Sequence, residues 1–309
     1  MPLLVAGGYR VTATTRSKQK ADSLRAVGAE PVVVDGLDRA AVIQAVMRAE
    51  PEVVIHQMSG LTGAGSFRRF DDEFAQTNRL RTEGTDHILE AARSAGVRRL
   101  VVQSYGNWNY ERTGDRPKTA DDPLDPNPPA NQRRSLEAIG HLERVVLDAE
   151  EIEGVALRYG NFYGPGTGFA LDGDLVELVR KRKLPLVGRA AGVWSFIHVD
   201  DVALATIAAI GRGRPGIYNI ADDEPAPVAT WLPELAKAVG AKPPRRVPVW
   251  VGRLATGEVG VSMMTQIKGA SNAKAKRELG WTPSYTSWRD GFWGGLGDVP
   301  LPPPPRPSA

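Results

Sequence analysis

With 309 residues, 42% of them hydrophobic and 24% charged, the chain is long enough for one large α/β domain with a smaller lobe, and too apolar for a disordered or fibrous protein. Its 39 basic and 36 acidic residues leave a net charge of +3 with no Lys/Arg run, so there is no nucleic-acid footprint. It has no cysteine, which excludes disulfides, thiolate metal sites and thiol nucleophiles, and no apolar run approaches the ~18 residues of a membrane span. The opening PLLVAGGYR lacks the marks of a secretory signal, so the default expectation is a cytoplasmic protein.

Residues 11–15 are short and β-branched, between Gly7-Gly8 and Arg16-Ser17, and predict a strand. Ser17 caps a helix that stops at Gly28, and residues 31–34 form a second strand. Asp38 caps a helix over 40–49, whose Val42, Val46 and Met47 share a face. A third strand over 52–55 runs into His56-Gln57-Met58-Ser59-Gly60. One long helix is predicted over about 71–95, with Phe74, Leu80, His87, Ile88 and Ala91 at roughly helical spacing and Gly96 as its stop. Residues 99–102 are a fourth strand, and 107–132, polar and proline-rich, read as a surface loop. Helix returns over 135–149, with Leu136, Ile139, Leu142, Val145 and Val146 toward a core. Residues 155–166, VALRYGNFYGPG, then carry a buried strand into a turn of Gly, Pro and aromatics, the pattern of a strand that ends at a ligand crevice.

Strands alternating with helices of this length predict right-handed βαβ units and a doubly wound parallel sheet of the Rossmann type, with a smaller C-terminal substrate lobe. Such a sheet begins with a strand, a glycine-rich turn and a helix that holds a pyrophosphate. Residues 2–8 read as the last turns of that helix, so roughly twenty residues are expected to be missing ahead of them, as judged from the length of a strand, a turn and most of a helix. The plan is a nucleotide-binding domain over 1–165, a substrate lobe over 166–298 interleaved with the sheet, and a proline-rich tail over 299–309.

The ordered set VVIHQMSG, EAARSAGVRRLVV, LRYGNFYGPG, FIHVDDVA, YNIADDEP and AKRELGWTPSY resembles the extended short-chain dehydrogenase/reductases, the NAD(P)-dependent epimerase/dehydratase group. The resemblance implies that Asp35 and Gly36 meet an adenine, that Gln57, Met58 and Ser59 line the cofactor, and that Asn78 supports a proton relay. It also implies that Tyr159 and Asn161 approach the nicotinamide and the substrate. Thr15 falls where NAD-preferring members carry an acid, and Arg16 follows it; a neutral residue beside an arginine favours a 2′-phosphate, hence NADP over NAD.

The catalytic pair of that group is a Tyr four residues before a Lys, whose charge lowers the phenol pKa. Anchored on Glu143, these positions here are Ser135 and Ile139, which cannot do that work. Tyr105, or Ser104 if the alignment slips by one, takes the place of the group's Ser/Thr after the fourth strand, and the candidates to replace the lost pair are Tyr105, Tyr110 and His141. His141 points about 200° away from Ile139 around the helix and reads as a surface or core residue. His56 reads as structural, and Asp200 and Asp201 as caps of the next helix. No His/Asp spacing makes a convincing metal site.

Where many sugar-nucleotide members carry an arginine ahead of the FIHVDD segment, this chain has Trp194, with Arg189 nearby. An indole brings stacking surface but no charge for a diphosphate, which moves the expected substrate from a nucleotide sugar toward something smaller. Trp231, Trp250, Trp281 and Trp288 read as lobe core. The expectation is therefore an oxidoreductase that transfers hydride between NADP(H) and a small carbonyl, sugar or lactone-like substrate. The alternative is a catalytically inactive NADP(H)-binding sensor or scaffold. The resemblance also makes a homodimer through the 135–149 helix compatible with the chain, and charge and hydropathy lead to no expectation of a nucleic-acid or membrane partner.

Overall fold

The computed structural model describes residues 1–61 and 66–297, so the proline-rich stretch 299–309 lies outside the described residues. The chain opens with α1 (Pro2–Ala6), β1 (Thr12–Thr15), α2 (Lys18–Ala26), β2 (Glu30–Val33), α3 (Arg39–Ala49) and β3 (Val53–His56). Ser17 and Asp38 cap α2 and α3 as their sequence positions suggested, Ser17 Oγ accepting from Lys20 N at 3.4 Å and Asp38 Oδ1 from Ala41 N at 3.0 Å.

Beyond β3 the long predicted helix is broken. A 3₁₀ turn (Phe67–Arg69) leads into α4 (Phe70–Glu73), α5 (Ala75–Arg79), a π turn (Leu80–Gly84) and α6 (Thr85–Ser94). The first break falls at Phe74, whose φ of −89° and ψ of 1° leave the helical region. The π turn adds one residue to the ladder, a change that a 3.6-residue periodicity cannot register.

There follow β4 (Arg99–Tyr105), α7 (Arg133–Leu147), β5 (Glu153–Tyr159) and β6 (Asn161–Tyr163). The chain continues through α8 (Asp174–Arg180), β7 (Leu186–Val187), β8 (Val193–Trp194), β9 (Phe196–His198), α9 (Val199–Gly211) and β10 (Gly216–Ile220). It closes with β11 (Ala226–Pro227), α10 (Val228–Ala238), β12 (Arg246–Val247), α11 (Val249–Thr265), α12 (Ala273–Leu279) and α13 (Trp288–Gly294). No helix among the described residues is long and apolar enough to cross a membrane.

The central sheet runs β10-β5-β4-β3, all parallel, with Val101 opposite Val155 and Tyr105 opposite Tyr159. Strands β1 and β2 form a separate parallel pair, so β3 ends one sheet and β1 ends the other. Successive residues of a strand face opposite ways, and the core follows that alternation. Leu100, Val102 and Ala156 pack under α3, α6 and α7, whereas Val101, Val155 and Leu157 pack under α9 and α12. Strand β5 lies against α7 so closely that a Cβ on Gly154 would stand 2.1 Å from the carbonyl oxygen of Val146. Gly154→Ala is accordingly expected to cost about 1–3 kcal/mol in chemical denaturation, from overpacking against backbone that cannot swing aside.

The 107–132 segment departs from the predicted surface loop. Trp108, Asn109 and Tyr110 are buried, Tyr110 bridges to Leu124, and Lys118 bridges to Ala270. The segment is thus tied, through Lys118, to residues far down the chain. Among the tryptophans, Trp231, Trp281 and Trp288 are core, but Trp250 is 65% exposed on the first turn of α11. Leu136 and Val146, compatible from sequence with a dimer face, are buried within the chain itself.

Candidate active site

The carboxyl ends of β3, β4 and β5 bring together residues far apart in sequence. Gln57, just beyond β3, donates from Nε2 to the Tyr159 hydroxyl at 3.0 Å, and that hydroxyl also lies 2.7 Å from Thr206 Oγ1 on α9. Tyr159 is fully buried, and burial pushes its phenol up to about 12. Its side chain is therefore a wall beneath the crevice, with its hydroxyl already committed. Tyr105, at the end of β4, donates to Asn161 Oδ1 at 2.6 Å, while Asn161 Nδ2 is buried without a partner. Burial pushes the Tyr105 phenol well above its ordinary range, against a smaller opposing pull from Asn107 and the Arg81 charge. It holds its proton at neutral pH.

Ser104 faces away from Tyr105, as strand alternation requires. It is 1% exposed and donates to Glu143 Oε1 at 2.6 Å, joining the buried pair of Glu143 with Arg158. Its role is structural, and Tyr105 is left as the phenol at the strand end.

The two relay positions sit side by side on α7. Ser135 is fully buried; its hydroxyl donates to Asp71 Oδ1 at 2.6 Å and accepts from Asn78 Nδ2 at 3.0 Å. Asn78 thus reaches the relay position, with its own Oδ1 buried and unpartnered. Ile139 is fully buried in the apolar cluster that continues into the lobe. A charge there would have to displace packed hydrocarbon.

Around Tyr105 the walls are aromatic. Its ring centroid lies 5.5 Å from that of Trp108, which meets Phe70 edge-on at 5.1 Å, and Phe70 stacks on Phe74 at 4.4 Å. Arg81, in the π turn, places its guanidinium carbon 6.0 Å from the Phe74 ring centroid. Arg81, Phe74 and Trp108 escaped the sequence reading because the broken helix and the packed loop were not legible. The three-residue step from Asn78 to Arg81, which puts both on one helical face, was the available signal.

The cofactor-side residues string out along the strand ends. Thr15 and the exposed Arg16 end β1, and Thr15 Oγ1 accepts from Ser17 N at 3.2 Å. Exposed Asp35 turns its carboxylate back to Leu37 N at 3.0 Å. Gly36 lies under Met58, whose sulfur would be 2.4 Å from a Cβ at that position, so a flexible thioether covers the place expected for an adenine. Ser59 is exposed and accepts from Leu61 N at 3.2 Å. The unpartnered buried atoms Asn78 Oδ1 and Asn161 Nδ2 are an acceptor and a donor that a bound ligand would satisfy near the strand ends, and they fit the carboxamide of a nicotinamide dinucleotide in this respect.

Several residues fall outside the site. Trp194 is 6% exposed, gives its only donor to Met263 O at 2.8 Å and packs 4.9 Å from Trp231, so it is lobe core and not a substrate contact. His56 is buried, and desolvation lowers it to about 4, which keeps it neutral. His141 lies 2.8 Å from Asp86 on the outer face of α7, away from the crevice. The cap of α9 is His198, whose Nδ1 accepts from Asp200 N at 3.2 Å, while Asp201 reaches the amides of Ser284 and Tyr285 at 2.7 and 3.0 Å. No cluster of three or more potential metal ligands occurs among the described residues.

The model of the NAD dependent epimerase/dehydratase family matches residues 1–221. A 3-diazoavenalumate denitrifying reductase of Streptomyces sp is 44% identical over 295 residues, covering 94% of this chain and 93% of that one. The 2-alkyl-3-oxoalkanoate reductase of Stenotrophomonas maltophilia is 30% identical over 77% of this chain and 71% of its own length. Among solved structures, the UDP-glucose 4-epimerase of Thermotoga maritima superposes with a TM-score of 0.73 over 95% of this chain and 91% of that one, at 22% identity, a likeness of fold.

Proposed function

Because this chain belongs to the NAD dependent epimerase/dehydratase family, we propose that it is a nicotinamide-dependent reductase that replaces the diazo group of a small aromatic acid with hydrogen. The observation that carries this reading is what fills the two positions where the family's pair is expected: Ser135 is tied to Asp71, and Ile139 is packed in the core. Carbonyl, sugar and lactone-like substrates, the wider expectation, need a proton at the oxygen of the group that gains the hydride. A diazonium group needs none. When bound, the nicotinamide supplies a hydride from C4. Net addition of that hydride to an aryl diazonium breaks the carbon–nitrogen bond, forms a carbon–hydrogen bond and releases N₂, with charge and atoms balanced and no proton from the protein. What remains for the residues is binding, orientation and exclusion of water. Tyr105, only partly buried beside Trp108, is the ring a flat substrate would meet, and the Tyr105–Asn161 bond fixes its phenol.

The substrate in the relative's name and its 44% identity over nearly the full length of both chains support the diazo acid as the substrate class. The test is to incubate the protein with C4-deuterated NADPH or NADH and a diazotised aminohydroxybenzoate. N₂ release matched one-for-one by cofactor oxidation, with deuterium on the arene, is the expected result. Oxidation of cofactor by ketones alone would sink the reading. The second reading, an inactive NADP(H)-binding sensor, draws on the same two positions; it predicts tight cofactor binding with no turnover of either substrate class.

NADP is the preferred cofactor in this reading, because exposed Arg16 beside neutral Thr15 suits a 2′-phosphate. Arg16→Ala is expected to raise the KM for NADPH roughly tenfold or more and to leave NADH unaffected, from the loss of one charge-assisted contact. Equal losses with both cofactors would remove the assignment. Pairing of two copies would use the outer faces of α6 and α7, where Asp86, Glu90, Arg93 and Arg144 rim a shallow groove.

A further inference from the structure

Among the described residues, Arg81 is a cation without a counterion. It is 6% exposed, its Nη1 is buried with no hydrogen-bond partner, and no carboxylate among the described residues lies within ion-pair distance. Burial draws its guanidinium down to about 10, with Tyr105 and then Glu143 opposing. Glu143 is already spent: Oε1 accepts from Ser104 at 2.6 Å and Arg158 Nε at 2.7 Å, and Oε2 accepts from Arg158 Nη2 at 2.7 Å. An unpaired desolvated charge is costly and is ordinarily paired or hydrogen-bonded. The π turn that carries Arg81 is itself a distortion of a kind frequent at functional sites.

Two further orphaned atoms frame it. Asn78 Oδ1 belongs to the residue one helical step before Arg81, and Asn161 Nδ2 to the residue that holds Tyr105. The neighbourhood therefore combines a planar cation, an unused amide donor and the aromatic rings of Phe74, Tyr105 and Trp108. A guanidinium fork matches a carboxylate in shape and charge, and the rings match a flat apolar body.

We propose that Arg81 is the anchor for the carboxylate of an aromatic-acid substrate, which sets that end of the molecule beside Tyr105. The inference rests on the reading of the chain as a reductase of aromatic acids and names the residue that selects them. The shared chemistry is an oxyanion, which the cofactor diphosphate also presents, so the test separates the two.

The experiment measures binding of 4-hydroxycinnamate, of its neutral amide, of NADPH and of NADH to the full-length protein by calorimetry, the first two both with and without NADP⁺. Wild type is expected to prefer the carboxylate over the amide roughly tenfold or more. Arg81→Met is expected to abolish that preference and to leave both cofactor affinities unchanged, while Arg81→Lys keeps part of it. Methionine removes an unpaired buried charge, so the variant is expected to fold. The assignment is overturned if Arg81→Met weakens the cofactors and spares the carboxylate preference, if it raises the melting temperature with no change in any affinity, or if wild type shows no preference. A carboxylate preference that depends on Arg81 stands even where no N₂ is released, and that outcome would count against the diazo reaction alone.

Discussion

Glu143→Ala is expected to lower the unfolding free energy by about 3–5 kcal/mol, because it strands a buried cation. Arg158 is 3% exposed on β5, and Glu143 meets it with two bonds of 2.7 Å from α7. The carboxylate and the Tyr110 phenol raise the guanidinium pKa further, against desolvation, so it cannot escape by losing its proton. Its remaining contacts, a bond to Ala120 O at 3.3 Å and a ring face of Tyr110 at 4.9 Å, do not neutralise the charge, and Ser104 loses its acceptor as well. The pair joins α7 to β5 directly beneath the crevice, so the loss is expected to spread to ligand binding. Urea denaturation of Glu143→Ala, Arg158→Met and the double substitution Glu143→Leu/Arg158→Met gives the coupling. The double variant is expected to recover most of the loss, since an apolar pair of similar volume has no charge to desolvate. A loss below about 1 kcal/mol in Glu143→Ala would mean that water reaches Arg158.

Asp222 predicts a stability that falls as pH rises above neutrality. Its carboxyl is 1% exposed, and burial pushes it up to about 8 from an ordinary 3.8, with Oδ2 unpartnered and only the amide contacts at Glu224 and Trp288 opposing the shift. Between those values the folded protein holds a proton that the unfolded chain has lost, so the unfolding free energy declines with pH. His56 slopes the other way. Lowered to about 4 from 6.5, it is neutral when folded and protonated when unfolded across that interval, so its contribution is lost as pH falls below 6.5. The two groups offset each other from about 4 to 6.5, and from 6.5 to about 8 the N-terminal amine, which burial holds below its ordinary 8.0, opposes the Asp222 slope. Asp222 by itself is expected to remove about 2 kcal/mol over that last window, at 1.36 kcal/mol per pH unit. Asp222→Asn keeps the shape without the titration and is expected to flatten the curve above pH 6.5. Parallel pH profiles for the two proteins would show that Asp222 is ionised in the fold.

Local chemistry carried much of the architecture. Ser17 and Asp38 announced their helices because a cap acts within three residues, and β4 and β5 announced themselves because a parallel strand buried on both faces is largely apolar. The shared helix of Ser135, Ile139 and Glu143 was legible too, since the three lie at fixed steps along one run. Tertiary structure decided what those steps could not reach. Trp194 was assigned to the substrate by its place in a motif, but its indole turned inward because Met263 and Trp231 complete its hydrogen bond and packing from distant segments. Tyr105, the match by count, and Ser104, the match if the alignment slips by one, parted because a strand sends neighbours to opposite faces and only one of those faces holds Glu143. Arg81 stayed hidden because a π turn leaves no mark on hydrophobic spacing, and because its meaning lies in what it lacks. A buried charge without a partner is visible only when every neighbouring side chain has been placed.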